Sequence, residues 1–181
     1  MTTWIALLRG INVGGKNILP MKDLVLLLLK LGFEGVKTCI QSGNIVFRSS
    51  NKKRNEIAQR IATAIESNYG FRIPVLLLSV VEFQQAINEN PFPAATDNPK
   101  TLHLFFLAEP PDTPDLLKLN DLKLADEEFV LTPRVFYLHA PQGIGRSKLA
   151  QRAEKCLGVP STGRNWRTVC KIAEMARSFH R

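Results

Sequence analysis

Apolar and polar positions along the first eighty residues divide into short blocks, each with the spacing of one secondary-structure element. Val, Ile and Leu runs bounded by turn residues predict strands, and apolar positions three and four apart predict helices. The predicted elements are a strand at 4–9, a helix at 21–31 after Pro20 and before Gly32, strands at 37–40 and 45–47, a helix at 52–69 and a strand at 73–78. The order βαββαβ is that of a ferredoxin-like unit.

The rest of the chain predicts the same order a second time. A connecting helix at 80–88 and a proline-rich linker at 90–99 precede it. The repeated elements are a strand at 102–107, a helix at 113–119, strands at 128–131 and 135–138, a helix at 147–157, a strand at 159–162 and an added helix at 165–178. We therefore predict an α+β fold of two ferredoxin-like βαββαβ halves in one compact chain, with an extra C-terminal helix. The predicted division is 1–80, a connecting helix and linker at 81–100, and 101–181.

The predicted strands are apolar on both faces. In the first strand Trp4, Ala6 and Leu8 point one way, and Ile5 and Leu7 point the other. Two helices cover only one face of a ferredoxin-like sheet, so the second face needs another cover. The other half, the connecting helix or a second chain would each serve, which leaves monomer and homodimer open.

Charge is distributed unevenly over the 181 residues, whose net charge is +8. Residues 97–128 hold eight acidic and three basic residues, whereas residues 134–181 hold ten basic and two acidic ones. A second basic cluster comprises Arg48, Lys52, Lys53, Arg54 and Arg60. A basic excess is typical of a protein that binds a polyanion, and it is also typical of a merely solvated surface.

Other classes of protein are disfavoured by composition. The longest apolar run, 24–29, is far shorter than the ~20 residues of a membrane span, and the first ten residues lack the basic start of a secretion signal. Three cysteines without a CxxC pair predict neither a disulfide framework nor a zinc site. We expect a cytoplasmic protein without a membrane partner, and we predict no metal or cofactor.

A glycine-rich loop, RGINVGGKN at 9–17, follows the first strand. Its G-x-x-x-x-G-K spacing is that of a phosphate-binding P-loop, but Asn17 stands where the magnesium-binding Ser or Thr is required. The loop does not predict a nucleoside triphosphatase. Backbone N–H groups of such a loop can still hold an anion, and a tight turn is the alternative. The candidate residues are Arg9, Asn12, Gly14, Gly15 and Lys16.

Two further polar segments carry candidate ligand-binding residues. The first is the hairpin signal at 41–44, where Gly43 and Asn44 are expected to adopt positive φ and Gln41, Ser42 and Asn44 could contact a polar ligand. The second comprises GIGRSK at 143–148 and TGRNWRT at 162–168, which place bases at two predicted helix starts, where free N–H groups attract anions. Ordinary capping, with Trp166 in the core, is the alternative to an anion site with a stacking ring. The candidates are Arg146, Lys148, Arg164, Asn165, Trp166 and Arg167.

Five runs occur here in one order: LRGINVGGKN at 8–17, IQSGNIVF at 40–47, NPF at 90–92, GIGRSKL at 143–149 and RNWRTV at 164–169. Together they resemble the bacterial family catalogued as domain of unknown function 1697. The resemblance implies a soluble bacterial protein of two ferredoxin-like halves, and it implies no activity or catalytic residue. Gly163 stands where that family's pattern leads us to expect Thr, which weakens a hydroxyl role there.

The leading hypothesis from the sequence is a protein that binds nucleic acid or a phosphorylated small molecule, such as a nucleotide, through basic glycine-rich loops. One alternative is a small-molecule enzyme whose site lies in a cleft between the halves, lined by Arg9, Asn12, Gln41 and Arg164. Another is a homo-oligomeric scaffold. The chain has no HExxH, GxSxG or HxE…CxxC signature, so whether it is an enzyme stays open.

Overall fold

The computed structural model describes residues 1–179, and they form eight strands and six α-helices. Two short 3-10 turns lie at Pro93–Asp97 and Ile144–Arg146. In chain order the elements are β1 (Thr2–Leu8), α1 (Met21–Lys30), β2 (Glu34–Cys39), β3 (Asn44–Ser49), α2 (Arg54–Tyr69), β4 (Val75–Ser79), α3 (Val80–Asn88), β5 (Leu102–Leu107), α4 (Leu116–Leu122), β6 (Glu128–Leu131), β7 (Val135–His139), α5 (Lys148–Leu157), β8 (Ser161–Asn165) and α6 (Trp166–Arg177).

The two predicted βαββαβ halves are confirmed by the sheet topology. The strand orders are β2-β3-β1-β4 and β6-β7-β5-β8, and every neighbouring pair is antiparallel. Both orders have the first and third strands of the unit at the centre, as the ferredoxin-like arrangement requires. The predicted α+β class with an extra C-terminal helix is therefore correct.

The first sheet is buried on both faces, as its apolar strands predict. On one face Trp4, Ala6 and Leu8 join a core formed with α1 and α2. On the other face Ile5 and Leu7 are also fully buried. Because this burial occurs within the single chain, no second chain is needed to cover the sheet, and the oligomeric state stays a prediction.

The second sheet forms a core of its own with α4 and α5. Phe136 and Leu138 of β7 pack with Leu119 of α4 and with Leu149 and Ala153 of α5. The hydroxyl of Tyr137, on the opposite face, donates a 2.8 Å hydrogen bond to the backbone oxygen of Ala86. Burial raises the pKa of Tyr137 to about 12, so this donor keeps its proton across the physiological range.

Several predicted element boundaries were wrong by two or three residues; strand β2, for example, was predicted at 37–40 and runs over Glu34–Cys39. Helix α4 was predicted from Thr113 and begins at Leu116, because Asp115 is its cap: the Asp115 carboxylate accepts a 2.9 Å hydrogen bond from the Lys118 N–H. Strand β8 was predicted at 159–162 and runs over Ser161–Asn165, where it pairs with β5. Its sequence, STGRN, has no apolar alternation, so only its pairing partner identifies it as a strand.

Contacts divide the chain into two units. One consists of Met1–Gln85 together with the chain from Cys170 onward, and the other consists of Ala86–Val169. Within the first unit Lys37 of β2 holds the C-terminal segment: its ammonium donates to the Ser178 hydroxyl at 2.9 Å and lies 5.0 Å from the centre of the Phe179 ring. The predicted domain boundaries at 80 and 101 stay predictions. None of the helices within 1–179 has the length and apolar character needed to cross a membrane.

Candidate functional site

The glycine-rich loop after β1 is a small protruding hairpin. Val13 and Lys16 form an isolated antiparallel bridge, in which the Lys16 N–H donates to the Val13 oxygen at 3.0 Å. Gly14 and Gly15 between them have φ of 58° and 72°, as a two-residue type I′ turn needs. This is the tight turn that the sequence offered as an alternative, and its tip is exposed.

Asn12 holds this loop in place. Its amide nitrogen donates to the Leu19 and Gln41 backbone oxygens, both at 2.9 Å, and its amide oxygen accepts from the Leu19 N–H at 2.8 Å. The bond to Gln41 joins the loop to the β2–β3 turn. Since both amide hydrogens are committed to the backbone, Asn12 acts as a structural clamp.

The β2–β3 turn differs from the predicted one at two positions. Ile40 and Gly43 adopt positive φ, of 54° and 70°, whereas Asn44 is the first residue of β3. The buried Asn44 amide donates to the Cys39 oxygen at 3.0 Å and to the Ser42 hydroxyl at 2.9 Å. A Cβ on Gly43 would lie 2.5 Å from Leu8 Cβ, so the turn packs directly against β1 and cannot accept a side chain there.

Backbone strain is concentrated in what we call the first loop cluster, residues 9–20 and 40–44. Among the described residues, the non-glycine residues with positive φ are Asn12, Asn17 and Ile40, and all belong to this cluster. Ile40 is the costliest, because a β-branched residue in this region loses about 1–2 kcal/mol. Such strain is typical of functional sites. Two of the five runs that carry the family resemblance, those at 8–17 and 40–47, fold together here.

The exposed part of the first loop cluster is both apolar and basic. Val13, Ile18 and Ile40 are 67%, 56% and 47% exposed, and Arg9 and Lys16 lie at the surface beside them. Lys16 forms no ion pair within the described residues. The basic cluster at 48–60 is different, because most of its charges already have structural partners: Arg48 with Glu34, Lys53 with Glu56, Arg54 with Glu82, and Arg60 with the Leu31 oxygen.

The two C-terminal basic motifs emerge from one end of the second sheet. Leu102 pairs with His139, and the next residue, His103, pairs with Asn165. The ends of β7 and β8 therefore lie on either side of the start of β5, about 10 Å apart at normal strand spacing. We call residues 140–148 and 163–167, which follow or end these strands, the second sheet end.

One polar residue in each of the two C-terminal basic motifs serves as a helix cap. The Ser147 hydroxyl accepts from the Ala150 N–H at 3.0 Å and caps α5, and the Asn165 amide oxygen accepts from the Thr168 N–H at 2.9 Å and caps α6. Arg146, Lys148 and Arg167 are exposed and form no ion pair within the described part of the chain. These three cations remain available at two helix starts.

Arg164 and Trp166 are half-buried, unlike their exposed neighbour Arg167. The Arg164 guanidinium donates to the Gly163 oxygen at 2.9 Å, and burial lowers its pKa to about 10. A Cβ on Gly163 would lie 2.9 Å from Phe105 Cε1, so the Phe105 ring occupies the space that the expected threonine would need. The glycine at 163, where the family pattern leads us to expect threonine, is therefore matched by the Phe105 ring that packs against it.

His103 was not among the site residues predicted from the sequence, and the structure buries it. It lies in β5, the strand between β7 and β8, from whose ends the two basic motifs emerge, and only 7% of its surface is exposed. Its Nδ1 has no hydrogen-bond partner within residues 1–179. Burial lowers its pKa to about 4 against the opposing effect of a hydrogen bond with the Thr101 backbone, so the ring is neutral at physiological pH.

The acidic residues of this end lie on its other edge, at the start of β6. The Asp126 carboxylate accepts from the Gln142 amide at 3.2 Å, and the Glu127 carboxylate accepts from the Leu124 N–H at 2.9 Å. Two further strands separate β6 from β8 in the sheet. At that separation, which exceeds a Debye length of ~8 Å, the carboxylates do not neutralise Arg167.

The structure thus gathers the predicted residues into two groups. Arg9, Asn12, Gly14, Gly15, Lys16, Gln41, Ser42 and Asn44 form the first loop cluster, and Arg146, Lys148, Arg164, Asn165, Trp166 and Arg167 belong to the second sheet end. In the part of the chain that the structure describes, no three His, Cys, Asp or Glu side chains are placed to hold a metal ion. The binding roles of all these residues stay predictions.

A solved structure shares the fold over nearly its whole length. A conserved bacterial protein, SP0830 from Streptococcus pneumoniae, superposes with a TM-score of 0.72 and 28% sequence identity. The match covers 97% of this chain and 98% of that one. No curated protein matches the chain significantly. The model of the family described as Protein of unknown function (DUF1697) matches residues 1–137, and the chain belongs to that family.

Proposed function

We propose that the protein binds a phosphate-bearing ligand, a nucleic acid or a nucleotide, through the second sheet end. The observation that carries the proposal is the convergence of two basic helix starts. Arg146 precedes α5, Lys148 begins it, Arg167 lies in the first turn of α6, and both helices leave the same end of one sheet. Cations without carboxylate partners beside free helix N–H groups favour phosphate.

The buried His103 supports the same location. A neutral imidazole with an unpartnered nitrogen is an uncommon feature of a folded interior, because buried polar atoms normally have a hydrogen-bond partner. It lies in the strand between the two basic motifs. The half-buried ring of Trp166 offers a surface on which a base could stack.

Fluorescence anisotropy with a labelled single-stranded oligonucleotide tests the proposal. We expect tight binding at about 50 mM salt that weakens steeply at higher salt, because each phosphate contact releases counterions. The triple variant Arg146→Ala/Lys148→Ala/Arg167→Ala should reduce the slope of log K against log salt by about two to three. Calorimetric titration with ATP distinguishes the two sources of phosphate: binding of ATP supports a nucleotide ligand, and binding of the strand alone supports nucleic acid.

The control variant removes the same charge elsewhere. Lys22→Ala/Lys30→Ala/Lys52→Ala changes three exposed lysines far along the chain from these motifs. It should retain most of the affinity if the second sheet end is the site. Equal losses in both triple variants, or no binding of either probe at low salt, would overturn the proposal.

A further inference from the structure

A cavity of about 280 Å³ lies in the second unit between α4 and α5, and none of its lining residues belongs to the motifs discussed above. It is lined by Asp115, Lys118, Leu122, Arg152, Lys155 and Cys156. Residues 115, 118 and 122 share one face of α4 and its cap, and residues 152, 155 and 156 share one face of α5. The cavity is therefore the groove between two helix faces that pack over the same sheet.

Beneath the cavity a backbone hydrogen bond joins the two helices, and both contribute to one core. The Asp115 N–H donates to the Cys156 oxygen at 2.8 Å, which fixes the start of α4 against the end of α5. Leu119 and Leu157 are buried below as members of the sheet core. The groove is thus formed by two helices, with Leu122 and the methylene stems of the long basic side chains as its apolar wall.

The charge in this groove is unbalanced. Lys118, Arg152 and Lys155 line it, and none of them forms an ion pair within residues 1–179. The one carboxylate in the lining, Asp115, accepts a hydrogen bond from a neutral N–H to cap α4 and keeps its charge, so three positive charges face one negative charge. All three cations are exposed, and the excess of positive charge around a partly apolar cavity attracts an anion.

We propose that this groove binds a small amphipathic anion, with a carboxylate or phosphate head held by Arg152, Lys118 and Lys155 and an apolar body against Leu122. Arg152 can hold either head group with two parallel hydrogen bonds. At about 30 Å³ for each water-sized group, the cavity has room for about nine such groups, which fits a short-chain acid or its phosphate analogue. The lining residues differ from those of the second sheet end, although Arg152 lies one helical turn after Lys148, and the proposal does not depend on the proposed function.

Cys156 provides a readout at the site itself. The thiol lines the groove and is half-buried, whereas Cys39 and Cys170 lie elsewhere in the chain. Alkylation of wild-type protein by iodoacetamide, followed by peptide mass spectrometry, reports the three rates separately. Because the reagent is neutral, the basic lining does not attract it.

Octanoate and hexyl phosphate serve as probes. We expect either or both to slow alkylation of Cys156 several-fold and to leave Cys39 and Cys170 unchanged. Protection by one probe alone identifies its head group. Equal protection by the uncharged 1-octanol would show a merely apolar groove, and no protection by either anion would show no site. Both of these results would overturn the proposal.

A charge variant tests the basic residues. Arg152→Ala/Lys155→Ala should raise the probe concentration for half-protection about tenfold or more, since hydrogen bonds to charged groups contribute ~1.5–3 kcal/mol. The matched control, Lys100→Ala/Lys123→Ala, removes the same charge from exposed positions of the second unit that do not line the cavity. An equal effect in the control would show that net charge, and not the groove, explains the protection.

Discussion

Two asparagines in the first loop cluster have nearly the same backbone conformation but make unequal numbers of side-chain hydrogen bonds. Asn12 and Asn17 have φ of 53° and 49°. The Asn12 side chain makes three hydrogen bonds to backbone groups, whereas the Asn17 side chain makes one, to the Gly10 oxygen at 2.8 Å. Comparing the two residues therefore distinguishes the energetic cost of the positive-φ backbone, which they share, from the contribution of the side-chain hydrogen bonds, in which they differ.

We expect Asn12→Gly to lower the free energy of unfolding by about 3 kcal/mol and Asn17→Gly by about 1 kcal/mol, at roughly 1 kcal/mol for each hydrogen bond. Glycine tolerates positive φ, so neither change adds backbone strain. Urea denaturation of the two variants measures the difference. Equal losses would mean that the Asn12 bonds do not hold the loop to the β2–β3 turn.

The β2–β3 hairpin carries a local conformational cost at Ile40. We expect Ile40→Asn to raise the free energy of unfolding by about 0.5–1 kcal/mol, because asparagine tolerates the left-handed region and the isoleucine side chain is 47% exposed. Val13→Asn, at an exposed position without positive φ, should change it by less than about 0.5 kcal/mol.

Denaturation of both variants gives the comparison, and a destabilised Ile40→Asn would show that the side chain contributes packing that outweighs the strain. A stabilised variant would instead identify Ile40 as a residue retained at a cost in stability. Strained residues of that kind are retained where a surface has a role in binding.

Local sequence signals predicted most elements of the fold, and contacts distant in sequence decided the rest. The bounds of α3, β5 and β6 agree with the prediction, since apolar periodicity and turn residues mark both ends of each. The start of α4 is set by the Asp115 cap on the Lys118 N–H, a local signal that the prediction overlooked, and the Asp115 N–H also donates to the distant Cys156 oxygen. Strand β8 depends on its pairing with β5, which no local pattern shows.

The residues of the candidate sites could be predicted from the sequence, but their arrangement in space could not. The basic and glycine-rich motifs could be found from spacing alone, and the sheet register then placed the two C-terminal ones together. The positive φ of Ile40, the unpartnered Nδ1 of the buried His103 and the groove at Cys156 left no signal in the sequence. Each arises from tertiary packing around an otherwise ordinary residue.

Stability of the whole molecule should depend on pH through His103. Its pKa is about 4 in the folded protein and 6.5 as the ordinary value, so between these values the unfolded chain binds a proton that the folded protein does not. Stability is therefore unaffected by this group above pH 6.5, and it decreases as the pH falls toward 4. The full effect is about 3 kcal/mol.

The variant His103→Leu isolates this contribution, because carboxylates that titrate in the same range are common to both proteins. We expect the wild type to lose about 3 kcal/mol more than the variant between pH 7 and pH 4, measured by urea denaturation at each pH. Parallel curves for the two proteins would mean that the ring gains a proton partner in the folded state.

The first unit is formed by two separate segments of the chain, Met1–Gln85 and the part from Cys170 onward. This division affects how the unit folds while the chain is being synthesised on the ribosome. At ~5–20 residues per second, the intervening residues emerge over roughly 5–15 s before the closing segment is available. During that interval β2 is without Ser178 and Phe179, the partners of Lys37. Nascent chains should consequently be most susceptible to proteases and most in need of chaperones until the segment from Cys170 onward is available.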